Sequence, residues 1–202
     1  FMIKDNIFRF FPDPVFRYKI SNHKQHNKDL SKYIYDIYND DKNGIKLSNI
    51  NGWHSKPFNL NEKNSPPNNF FLSIKDHIQD VFNNYGWSFN PEKIKCEAMW
   101  AVINKKGNFN IEHIHANCHL SAAYYVKVPE NSGNFRIFNP NNISRNRFPL
   151  ISKTTDLNML SASLKVNEGE LLIFPAYLPH AVGQNESDED RIVVSFNLNI
   201  LS

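Results

Sequence analysis

The sequence predicts a mainly β fold: a double-stranded β-helix, or jelly roll, with bracing helices from its N-terminal half. Three observations lead there. From about residue 95 the apolar residues come in short runs divided by turn residues, the pattern of an all-β sandwich or barrel. The first ninety or so residues carry helical stripes instead. No internal repeat is found, and 202 residues suffice for one compact domain. The expected layout is one domain over 1–202, with 1–94 a helical and irregular wrapping and 95–202 the jelly-roll core.

Taken in order, segment 28–39 sets Leu30, Tyr33, Ile34, Ile37 and Tyr38 at three- and four-residue spacings, one face of a helix. Asn43-Gly44 breaks that pattern. Segment 72–85 repeats it with Leu72, Ile74, Ile78, Val81 and Phe82, stopping before Gly86. Between them, 47–69 is rich in Asn, Ser and Pro and reads as loop. Trp53 in that loop is expected to plug the core rather than meet a substrate, since Trp is usually well buried. Strands are predicted near 95–103, 109–114, 119–128, 134–138, 162–166, 170–174, 180–184 and 191–200. Lys105-Lys106-Gly107, Asn131-Ser132-Gly133 and Asn167-Glu168-Gly169 punctuate them. Eight short strands preceded by helices suit a jelly roll. The stretch 139–160, with Pro140 and Pro149, is too long and polar for a tight turn; such loops tend to be functional or mobile.

Composition narrows the function classes. The chain is 41% hydrophobic and 13% aromatic, with a net charge of +3 and a mean hydropathy of −0.52. Its basic residues are scattered, without the stripe or module that nucleic acid binding needs. No apolar run approaches the roughly 20 residues of a membrane span. The start lacks a basic flank followed by an apolar stretch, so no secretory leader is expected and the cytoplasm is the expected location. Cys96 and Cys118 are too few for a disulfide framework and read as buried thiols. A homodimer is the commonest assembly for such a chain.

Of eight histidines, His23, His26, His54 and His77 fall in polar stretches or on a polar helix face and suggest no special role. His113 and His115 differ because they lie two apart on a predicted strand and so share a face. Their Cα atoms would be about 6–7 Å apart, close enough for both imidazoles to converge on one metal. A third ligand must come from a neighbouring strand. His180 is the candidate, some sixty-five residues on, after an apolar strand and the turn Pro175-Ala176-Tyr177-Leu178-Pro179. Pro179 holds Leu178 extended. Neutral imidazoles suit Fe(II), Zn(II), Cu(II) or Ni(II). Arg191 opens the last strand, with Val193 and Ser195 on its face and Ile192, Val194 and Phe196 opposite. A guanidinium on so apolar a strand must find an anion or water, and its fork matches a carboxylate. The competing reading pairs Arg191 with the acidic run Glu186 to Asp190.

These residues resemble the signature of the 2-oxoglutarate- and Fe(II)-dependent oxygenases: His-x-acid on a strand, a distal His, and an Arg about ten residues later. More narrowly, the chain is similar to a group of such oxygenases from marine bacteria and phages. The similarity rests on Phe11-Pro12-Asp13-Pro14-Val15, Asn51-Gly52-Trp53-His54-Ser55 and Met99-Trp100-Ala101-Val102-Ile103-Asn104. It continues through His113-Ile114-His115-Ala116-Asn117, Leu120 to Val126, Phe174 to His180 and Arg191 to Asn197. The resemblance implies Fe(II) as metal, 2-oxoglutarate as co-substrate, O2, and hydroxylation of a substrate with release of succinate and CO2. It implies that His113 and His180 are ligands and that Arg191 pairs with the distal carboxylate of 2-oxoglutarate, with Tyr125 reaching the same group as in prolyl-hydroxylase-like enzymes. Ser121 and Val182 would line the co-substrate pocket, and Asn104 and Asn117 would approach the iron. The wider family has Asp or Glu where this chain has His115, whereas the narrow group is similar in carrying His-x-His. A third imidazole raises the charge of the site by one and also suits Zn(II) plus water. It leaves no room for the chloride of a halogenase. Two other readings stand beside this one: a cupin-type metal enzyme that does not use 2-oxoglutarate, and a non-catalytic metal-binding jelly roll.

Overall fold

The computed structural model describes residues 11–88, 90–141, 146 and 149–201. Eleven strands form two antiparallel sheets among them. The larger has the order β1 (Phe16–Lys19), β9 (Glu170–Pro175), β6 (Leu120–Lys127), β11 (Arg191–Ile200), β4 (Ile94–Asn104), β3 (Trp53–His54), and the smaller β2 (Asn49–Ile50), β5 (Phe109–His113), β10 (His180–Val182), β7 (Phe135–Phe138), β8 (Ser161–Leu164). The eight strands expected from the sequence are β4 (Ile94–Asn104), β5 (Phe109–His113), β6 (Leu120–Lys127), β7 (Phe135–Phe138), β8 (Ser161–Leu164), β9 (Glu170–Pro175), β10 (His180–Val182) and β11 (Arg191–Ile200). The chain passes repeatedly from one sheet to the other, as a double-stranded β-helix requires.

The period of two sorts side chains cleanly between the faces of the larger sheet. Met99, Ala101 and Ile103 of β4, Tyr124 of β6, Ile173 of β9 and Val194 of β11 join the core under the helices. Their neighbours Tyr125, Leu172, Phe174 and Val193 face the smaller sheet. The segment 28–39 lies in α1 (His23–Asp40), which buries Leu30 and Ile34 completely. Tyr124 locks α1 to β6: its hydroxyl donates to Asn27 Oδ1 at 2.6 Å, and its ring lies 4.2 Å from that of Phe70.

The helix predicted over 72–85 is two helices, α2 (Pro66–Ser73) and α3 (Lys75–Tyr85). Ser65 caps α2, accepting from the Asn68 N–H, and Pro66 supplies a preset φ in its first turn. The chain turns at Ile74 (φ −102°, ψ 5°). Leu72 therefore falls in the last turn of α2 and is 49% exposed, whereas Ile74, Ile78, Val81 and Phe82 are buried as their spacing predicts. The 47–69 segment is not wholly loop. It contains β2 (Asn49–Ile50) and β3 (Trp53–His54), too short to leave a periodic signal, and the start of α2. Trp53 is a plug: it is buried in the helix-side core, and its Nε1 donates to the Asp41 carbonyl at 2.7 Å. The edge strand β1 (Phe16–Lys19) was also invisible to pattern; Arg17 fastens it to β9 through both carboxylate oxygens of Glu170. Cys96 and Cys118 are free and only partly buried.

Candidate metal centre

His113 ends β5 and His180 begins β10, and the two are direct partners across that antiparallel pair. His115 lies just beyond the end of β5, not on the strand as predicted. Its backbone N–H, held 2.9 Å from the Ala176 carbonyl, keeps it against the turn that leads to His180. The three imidazoles converge. Their ring centroids are 4.3 Å (His113–His180), 5.2 Å (His113–His115) and 5.2 Å (His115–His180) apart. One nitrogen from each lies within 4.8 Å of the others, making the cluster a ready metal site.

The hydrogen bonds of two rings decide which nitrogen carries the lone pair; at His113 that nitrogen, Nε2, has the Ser48 hydroxyl 3.4 Å away. His113 Nδ1 lies 2.7 Å from the Ile111 carbonyl, and His180 Nδ1 2.9 Å from the Leu178 carbonyl. A carbonyl only accepts, so both Nδ1 atoms carry the proton and both Nε2 atoms present a lone pair. His115 Nδ1 instead meets the side chain of Asn197, 3.2 Å from its Nδ2. Burial, then the neighbouring imidazoles, lowers the pKa of His180 to about 3 and that of His115 to about 4. Burial lowers His113 as well. The rings are therefore neutral at ordinary pH, the state in which they bind metal.

A cavity of about 570 Å3 opens between the sheets and has all three histidines in its wall. Arg191, Tyr125 and Val182 also line it. Arg191 is 2% exposed. Its Nη1 donates to the Ser132 and Gly133 carbonyls at 3.3 and 3.5 Å, and its Nε has no partner among the described residues. The acidic run does not neutralise it: Asp188 pairs with Lys106, Glu189 with Lys127, and Asp190 accepts from Tyr35. The reading of Arg191 as a surface partner of that run is thus overturned. A buried guanidinium without an anion costs several kcal/mol, on the order of the penalty for any unpaired buried ion. Such a group, facing a cavity, suits a carboxylate ligand. Tyr125 is the charge-sensitive neighbour: burial raises its hydroxyl pKa, and the Arg191 cation opposes that shift.

Comparison with known proteins agrees with this geometry. Residues 98–197, from β4 through most of β11, match the model of a family described as "Putative 2OG-Fe(II) oxygenase". The chain belongs to the 2-oxoglutarate- and Fe(II)-dependent oxygenases.

The oxygenase shares its fold with a Pseudomonas putida prolyl-4-hydroxylase at 10% identity and a TM-score of 0.62, covering 94% of each chain. It is similar also to the viral collagen prolyl hydroxylase of Paramecium Bursaria Chlorella virus-1 (13%, TM-score 0.60, 91% of this chain and 94% of that one). A third likeness is to the epimerase SnoN, solved with Fe3+, alpha-ketoglutarate and nogalamycin RO (11%, TM-score 0.67, 93% and 79%). A search of curated protein sequences gave no match. The donor set of the oxygenase fits its family's metal, since three neutral imidazoles are good ligands for a divalent first-row ion. The orphaned Arg191 Nε fits a carboxylate co-substrate in the same cavity.

Other expected residues fall differently. Ser121 is buried behind the cavity and does not line it, because its hydroxyl donates to Asn197 Oδ1 at 2.9 Å. Asn104 is buried and donates to Asn110 Oδ1, while Asn117 is exposed in a left-handed turn, so neither reaches the histidines. Of the 47–69 segment, Leu47, Ser48, His54 and Pro57 do line the cavity. No described residue of 139–160 does; residues 142–145, 147 and 148 lie outside the described set. The pattern missed His54, which β3 places against β4. There it stacks on Trp100 at 5.4 Å, and Trp100 stacks on His115 at 5.7 Å. Alternation along β4 could have pointed Trp100 inward with Ala98 and Val102. Nothing local could have placed His54 beside it.

Proposed function

We propose that this oxygenase hydroxylates a C–H bond on an uncharged, largely apolar group, with His113, His115 and His180 holding the iron and Arg191 and Tyr125 holding the far carboxylate of 2-oxoglutarate. The observation that carries the reading is the pairing, in one cavity, of a neutral three-histidine cluster with a buried guanidinium that has no carboxylate partner among the described residues. Fe(II) and 2-oxoglutarate, when bound, supply the O2 activation and the two-electron oxidant, with succinate and CO2 as co-products.

The chain's own part is to bind, orient and shield. Arg191 offers a fork to a carboxylate, and the Tyr125 hydroxyl, kept protonated by burial, can donate to the same group. Phe174, Val182 and Val193 make that end of the cavity apolar and exclude water, which strengthens each charge contact. The substrate class follows from the remaining wall. Ile45, Leu47, Pro57, Trp100, Ile111 and Ile114 supply it, and Arg191 is the only Lys, Arg, Asp or Glu among the cavity's described lining. A free amino acid would find no carboxylate for its ammonium among the described lining, whereas an aliphatic or aromatic group would be well covered.

The test is anaerobic reconstitution with Fe(II), then exposure to O2 with 2-oxoglutarate and measurement of succinate. Succinate formation that depends on Arg191 supports the proposal. Metal binding with no binding of 2-oxoglutarate at millimolar concentration would favour a metal enzyme of another kind on the same scaffold.

A further inference from the structure

His115 differs from its two fellow ligands in what orients it. His113 and His180 each face a backbone carbonyl, which cannot reverse its role. His115 faces the side-chain amide of Asn197, which can. Asn197 is held in turn by Ser121, whose hydroxyl lies 2.9 Å from Oδ1. The β4–β11 ladder shifts register between Asn197 and Leu198. The extra residue there is Glu97 of β4, so β11 keeps its period of two through Asn197. Asn197 lines the cavity with Arg191, Val193 and Ser195 of the same strand face, and sits directly across the β6–β11 ladder from Ser121.

The heavy atoms of this trio admit two hydrogen arrangements. With the amide NH2 toward His115, Nδ1 accepts, the imidazole proton sits on Nε2, and the ring offers the metal nothing at Nε2. With the amide turned over, Oδ1 accepts the Nδ1 proton and Nε2 is bare, as at His113 and His180. Ser121 is satisfied either way, because a hydroxyl both donates and accepts. The amide can therefore turn without stranding a buried polar group.

We propose that Asn197 is a positioning residue that sets the tautomer of His115, and that Ser121 makes the turned amide affordable. Asn197 delivers Oδ1 to His115 Nδ1 when metal binds, so the third imidazole engages through Nε2. The inference rests on His115 being a ligand.

The experiment measures Co(II) affinity by competition with a chromophoric chelator for the wild type, Asn197→Leu, Asn197→Asp and His115→Ala. Asn197→Leu should weaken Co(II) about 10- to 100-fold, the usual effect of removing a partner behind a metal-bound His. Asn197→Asp, which can only accept, should match or exceed wild-type affinity. The second measurement uses Zn(II)-loaded protein and long-range 1H–15N spectra of the imidazoles. An exchange-protected Nδ1 proton on His115 is expected in the wild type and in Asn197→Asp, and not in Asn197→Leu. If His115→Ala weakens Co(II) but Asn197→Leu does not, the positioning role is overturned while the three-histidine site stands. If His115→Ala leaves Co(II) affinity unchanged, the ligand reading falls and the positioning role with it. A misfolded Asn197→Leu would lose dispersion in all its spectra, and the Asn197→Asp result and the wild-type His115 proton then decide the matter.

Discussion

His113 and His180 face each other as partners across two antiparallel strands, their rings 4.3 Å apart and each Nδ1 on a carbonyl two residues back in its own chain. Backbone thus prepares both Nε2 atoms for a metal, before any ion arrives. His113→Ala or His180→Ala should therefore remove high-affinity Co(II) binding, which equilibrium dialysis would show. Retention of a stoichiometric ion by either variant would mean that the cluster is not the metal site.

Arg191→Met should abolish the response to 2-oxoglutarate without harming the fold. In the Co(II)-loaded wild type, 2-oxoglutarate at a hundred times its Kd stabilises by about 2.7 kcal/mol through mass action. That rise in Tm should vanish in Arg191→Met. The Tm without co-substrate should hold or rise, because the change removes a buried guanidinium with an unpartnered Nε. Thermal melts with and without 2-oxoglutarate check both parts.

The metal-free protein should lose stability on acidification. Burial lowers the folded-state pKa of His180 to about 3 and of His115 to about 4, and lowers those of His113 and His54. The unfolded chain takes up protons at these groups as pH falls through about 6.5, while the folded protein resists. Their contribution is complete above that pH and declines as pH drops toward the folded values. Urea midpoints across this range should fall with pH, less steeply in His180→Gln. A flat profile would contradict the burial of these rings.

Leu30→Ala and Ile34→Ala should separate scaffold from site. Both side chains are fully buried between α1 and the larger sheet, on the face opposite the cavity. Each substitution should cost about 2–5 kcal/mol, the range for deleting a buried aliphatic side chain. Urea unfolding measures the cost, and Co(II) affinity of the folded fraction should stay at the wild-type value. A loss of affinity would couple α1 to the metal cluster.

The sequence by itself determined the parts of this protein that local periodicity encodes. Strand alternation located β4 to β11 to within a residue or two, and turned Arg191 away from Ile192, Val194 and Phe196. Spacing of two marked His113 and His115, and the Pro175–Pro179 turn marked His180. What it left open was everything that depends on which elements meet. The break at Ile74, the two-residue strands β2 and β3, and the exposure of Leu72 have no periodic signal, because they are too short or are decided by packing. His54 gained its place only when β3 paired with β4, and Asn197 met His115 only when the sheets closed across 82 residues of chain. The choice of partner for Arg191 was likewise tertiary. The acidic run next to it in sequence points outward to Lys106, Lys127 and Tyr35, while the guanidinium points inward to a cavity lined by the histidines. Residue type and period fix which face a side chain takes; only chain closure brings groups from distant strands to one point, and that is where this chain's chemistry lies.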